Sequence, residues 1–121
     1  MEELIGRITK NVGTDEATAR SAVRIILSFL HREGDPSKVA VLVEKMPGAA
    51  DYVGGSDEGS GLGGMMGGGV MAALGQLQSL GLGMSEIQSV AQETVDFARE
   101  RAGAEVVNEI VGSIPGLSQF V

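Results

Sequence analysis

Cysteine and tryptophan are absent from this 121-residue chain, proline occurs three times, and aromatic residues make up 3% of it. Without cysteine there can be no disulfide, no thiolate nucleophile, no zinc ribbon and no iron–sulfur ligation, a composition that fits a reducing compartment. Positive charge is also scarce. Nine Lys and Arg stand against 16 Asp and Glu, for a net charge of −7. Nucleic-acid binding needs concentrated basic side chains to displace counterions, and anionic membrane surfaces need the same, so neither partner is expected. The longest uncharged stretch, residues 59–85, holds ten glycines and lacks a basic flank or aromatic belt, which argues against membrane insertion. Its overlapping small-residue steps, Gly59-Gly63-Gly67 and Gly64-Gly68, suit close helix contact instead. Glu2 and Glu3 stand where a signal peptide would carry positive charge, so a cytoplasmic location is expected.

What the chain does have is aliphatic residues and glycine. Hydrophobic side chains reach 43%, enough for a modest core, and there are 19 glycines. Nine of those glycines fall in residues 54–69, GGSDEGSGLGGMMGGG, where ordering the backbone is entropically costly. This composition divides the chain into a first helical unit (1–53), a Gly/Met-rich linker (54–69) and a second helical unit (70–121).

The flanks resemble one another. Residues 12–53 align without a gap on residues 80–121 at an offset of 68, with eight identities that include Gly13/Gly81, Phe29/Phe97, Val43/Val111 and Pro47-Gly48/Pro115-Gly116. A repeated unit buries its apolar face on its neighbour, so one compact domain is expected rather than two beads.

Each half reads as helical. Leu4, Ile5, Ile8 and Val12 follow a 3.6-residue period over about 2–11, and Gly13 ends that helix. Thr14 is the expected N-cap of the next, whose stripe Ala19, Ala22, Val23, Ile26, Leu27 and Leu30 runs to about Glu33, with Gly34 as its C′ residue. Asp35-Pro36 restarts the chain as N-cap and N1 of a helix near 36–46. The second half predicts helices near 70–79, from Ser85 as N-cap to about 101, and over 104–114. VAVLV at 39–43 could form a strand, but the spacing 39, 42, 43, 46 is helical. The fold class expected is all-α, a compact bundle of about six short-to-medium helices from two pseudo-repeated units.

The run VGTDEATARSAVRIILSFLHREG, the closing Met46-Pro47-Gly48 and its recurrence as Ile114-Pro115-Gly116-Leu117 resemble small bacterial helical domains of uncharacterised function. That resemblance implies an all-α fold and a bacterial source, and it brings no catalytic residues. The second half departs from the pattern at Gly83-Met84, where the first has Asp15-Glu16, which moves its expected helix start to Ser85.

Few residues of the chain are arranged for chemistry. Gly59-Ser60-Gly61-Leu62-Gly63-Gly64 satisfies G-x-G-x-x-G, but no strand precedes it, as a dinucleotide site requires. His31 is the single histidine and has no orienting carboxylate on its own helix face. Glu93, Asp96 and Glu100 make an acidic face that reads as solvated surface rather than a metal site. No enzyme, cofactor or metal is expected. Methionine adapts to irregular apolar partners, and Met65, Met66 and Met71 stand near the unit boundary. Together with Tyr52 and Phe120, which end the two units' short tails, they are the candidate lining of an apolar groove. The function expected is a non-catalytic protein-interaction or scaffold module with an unknown protein partner. The alternatives are small-molecule or lipid binding in the groove between the repeats, or a structural homo-oligomer.

Overall fold

In the computed structural model, residues 2–46, 48–49 and 69–114 are described. Among them the chain is all-α, with no strand. The six helices are α1 (Glu2–Val12), α2 (Glu16–Glu33), α3 (Pro36–Lys45), α4 (Gly69–Gln78), α5 (Met84–Ala102) and α6 (Ala104–Ser113).

Local chemistry sets most of their ends. Gly13, Gly81 and Gly103 adopt φ of 84°, 93° and 99°, the left-handed region that side chains with a Cβ avoid, and each follows a helix closely. Asp35 caps α3 by accepting the Ser37 N–H at 3.0 Å, with Pro36 in the first turn as the sequence predicts.

Two other caps differ from expectation. Asp15, not Thr14, caps α2, its Oδ1 accepting the Thr18 N–H at 3.0 Å. Helix α5 begins at Met84 rather than after Ser85, because the Glu86 carboxylate reaches back to accept the Gly83 N–H at 2.9 Å. A side chain at the third helical position thus replaces the missing cap side chain.

Gly34 is also used differently from the expected left-handed C′ residue. Its φ is −83°, a conformation open to any residue. A Cβ there would lie 2.7 Å from the Leu30 carbonyl oxygen, 3.1 Å from Val39 Cγ2 and 3.2 Å from Ile110 Cγ2. Glycine is present for room at the meeting of α2, α3 and α6.

The short helices are held by packing rather than by propensity. Leu4, Ile5 and Ile8 of α1 are fully buried, and α1 lies on α5 and α2. Helix α4 buries Ala73, Leu74 and Leu77, lying on α2 and α5. Helices α3 and α6 pack on each other, and so do the long helices α2 and α5. Buried side chains from all six helices join in one cluster. Thr94 is the buried polar residue among the described ones, and its hydroxyl donates to the Val90 carbonyl at 2.8 Å.

Candidate functional site

The groove residues expected from the sequence, Tyr52, Met65, Met66 and Phe120, lie outside the described residues. Met71 falls within α4, but its side chain is outside them too. The G-x-G-x-x-G segment at 59–64 is likewise not described.

The most highly organised polar cluster among the described residues lies along the α1–α5 seam. Arg7, on the edge of the buried α1 face, grips Glu100 with two parallel bonds, Nη1 to Oε2 at 2.7 Å and Nη2 to Oε1 at 2.8 Å. Its Nη2 also reaches Glu3 Oε2 at 3.2 Å, and Glu3 Oε1 accepts from Arg101 Nη2 at 2.7 Å. The result is a chain of alternating charge, Glu100–Arg7–Glu3–Arg101, that begins and ends on α5. Beneath it lies Phe97, 1% exposed, with the Arg7 guanidinium 5.5 Å and the Arg101 guanidinium 5.0 Å from the ring centre. Both cations therefore also face the ring's negative quadrupole. Asn11 extends the seam by donating to Glu93 Oε2 at 3.1 Å.

Electrostatics follow from this geometry. The hydrogen bond from Arg7 holds the Glu100 carboxyl below its ordinary range, helped by the positive charges of Arg7 and Arg101 and opposed by partial desolvation. Arg7 is correspondingly harder to deprotonate. Elsewhere, Lys38 Nζ of α3 meets Glu109 Oε2 of α6 at 2.9 Å, and that bond raises the lysine. Hydrogen bonds from Thr18 lower Asp15.

This arrangement redistributes the acidic face expected on α5. Glu93 and Glu100 turn toward α1, while Asp96 pairs with Arg99 at 3.2 Å. Arg99 also donates to Asn108 Oδ1 at 3.2 Å, beside a shallow dimple of about 150 Å³ lined by Gln92, Val95, Asp96 and Arg99. No group of three or more His, Asp or Glu among the described residues could hold a metal ion. His31 is exposed in the last turn of α2, three residues from Ser28, whose buried Oγ has no hydrogen-bond partner among the described residues. The α1–α5 cluster is not anticipated from the sequence. Its one signal there is Arg7 flanked by Glu3 at i−4, which a helical reading places on one side of α1.

The described fold is a bundle of six helices, and none of its helices is long and apolar enough to cross a membrane. No family model matches the chain, and no curated protein or solved structure matches it either.

Proposed function

We propose that the chain is a non-catalytic helical interaction or scaffold module, built from two copies of one three-helix unit joined by the Gly/Met-rich residues 54–69. One observation carries the two-unit reading. Every buried apolar position of α2, namely 19, 22, 23, 26, 27, 29 and 30, has a buried counterpart in α5 at the same offset of 68 residues, at 87, 90, 91, 94, 95, 97 and 98. Positions 39, 42 and 46 correspond in the same way to 107, 110 and 114. Phe29/Phe97 and Val39/Val107 are the only identical pairs among these ten, so burial is matched far beyond residue identity. The first helices follow suit with a one-residue slip: Leu4, Ile5 and Ile8 correspond to Ala73, Leu74 and Leu77 at an offset of 69.

The non-catalytic part of the reading is supported by how the described polar groups are used. The charged side chains of the α1–α5 seam, and the Lys38–Glu109 pair, join one half to the other rather than converge on a cleft. Binding is assigned to the groove proposed between the units, lined by Tyr52, Met65, Met66, Met71 and Phe120. In an affinity capture from the source organism's lysate, a partner recovered at near-stoichiometric yield by the native chain and lost by the Met65→Ser/Met66→Ser variant supports this location. Equal recovery by both proteins overturns it.

A further inference from the structure

Two short helices lie on the long pair α2 and α5, and they are held unequally. Helix α1 packs on both long helices, and so does α4. The first buries three large side chains completely, Leu4 and Ile8 at 0% exposure and Ile5 at 1%. Among its described side chains, α4 buries one methyl group and two leucines, and less fully, with Ala73 and Leu74 at 8% and Leu77 at 3%. Less apolar area leaves water there, so the attachment is weaker.

Polar contacts widen the difference. Helix α1 is tied to α5 by the Arg7–Glu100 fork, by Glu3–Arg101 and by Asn11–Glu93. It is tied to α2 as well, where Glu2 accepts from Arg20 at 2.9 Å. A forked arginine–carboxylate pair within a network is the kind of surface ion pair that does contribute to stability. Helix α4, GVMAALGQLQ, contains no charged residue and can form no ion pair. Its described side chains make one bond to another helix, from Gln78 Nε2 to Met84 Sδ at 3.6 Å, and a thioether is a weak acceptor. Nor do charges support its ends. Glu2 and Glu3 open α1 and Lys10 closes it, in line with the helix dipole, whereas α4 has no acid in its first turn and no base in its last.

The exit from α4 has the form of a hinge. Leu80 and Gly81 donate to the carbonyls of Leu77 and Gln78 in a tight turn, and Gly81 has a φ of 93° with nothing within 4 Å. Leu82, 6% exposed, then anchors the chain in the core. We propose that α4 is a lid, a helix that detaches as a unit by pivoting at residues 79–81 while the other five helices stay packed. Opening uncovers the apolar side of α2 on which α4 lies. The opened form is a minor species of the native state, so bulk unfolding remains a single transition.

The test is hydrogen exchange of the full-length chain, followed amide by amide by NMR across sub-denaturing urea. Amides 74–78 of α4 should be protected about tenfold or more weakly than amides 7–10 of α1, through an opening nearly independent of urea. Exchange in α1 and α5 should instead rise steeply with urea. Ile8→Val should speed exchange in α1 and α5 by about two- to tenfold. It should leave amides 74–78 unchanged, because lid opening keeps α1 in place. Equal protection and equal urea dependence in α1 and α4 would overturn the proposal, and so would an Ile8→Val effect that reaches α4 in full.

Discussion

At the scale of single residues, glycine shows how the same side chain serves opposite ends. Gly34 is required for space, since a Cβ there would press on a carbonyl oxygen and on two methyl groups from α3 and α6. Gly34→Ala should therefore lower stability by ~1–3 kcal/mol, the usual cost of overpacking, read as a shift in the urea midpoint without change of slope. Gly75, inside α4, faces open space, with nothing within 4 Å of where a methyl group would project. Gly75→Ala should raise stability by about 0.5–1 kcal/mol, because alanine gains helix propensity and clashes with nothing. If both substitutions shifted the midpoint the same way, the packing described around Gly34 would be wrong. Thr94 is fully buried, and its hydroxyl is satisfied by its own helix through the Val90 carbonyl. Nothing in the structure explains why a threonine stands there.

At the scale of elements, the 11-residue helix α1 is too short to hold its shape alone, and its neighbours keep it in place. Leu4, Ile5 and Ile8 give it a fully buried face, and Leu4→Ala should cost ~2–5 kcal/mol, measured by thermal or denaturant unfolding. The charged seam adds orientation and a pH dependence. Glu100 has its carboxyl lowered in the folded protein by Arg7, so it contributes stability above the unfolded carboxylate range. That contribution is lost as pH falls through the lowered folded value, when Glu100 takes up its proton. Asp15, lowered by Thr18, acts with the same sign. Glu100→Gln should therefore flatten the acid limb of a melting-temperature profile while leaving the shape of the limb above neutrality unchanged. Lys38 has the opposite sense, because its raised value keeps its contribution present until pH climbs past the unfolded lysine range.

At the scale of the whole molecule, the interleaving of halves dictates cooperativity. Because α1 rests on α5 and α4 rests on α2, neither half buries its first helix within itself alone. Unfolding should accordingly be a single transition, with helix content and calorimetric heat uptake coincident, and Leu4→Ala and Leu77→Ala should each lower one common midpoint. Two resolved transitions would show that the halves fold independently.

Much of this architecture is legible in the chain. Apolar spacing, Asp35-Pro36 and the glycines that follow the helices are local signals, and they locate all six helices to within a residue or two. Two starts differ where the deciding group is a choice between neighbours: Asp15 over Thr14, and Glu86 reaching back to Gly83 in place of a cap at Ser85. The acidic face on α5 is legible as spacing, but its division between α1 and Arg99 is not, since that depends on which helix lies alongside.

The helices and their inward faces follow from local chemistry, because periodicity, capping and the φ > 0 glycines act within a few residues of chain. Tertiary structure alone decided which helix each face meets, and so set Arg7 on Glu100 and Gly34 under Ile110, pairs far apart in the chain. The physical reason is that aliphatic burial is non-directional: Leu4, Ile5 and Ile8 would accept any apolar partner, and only simultaneous packing of all six helices selects one.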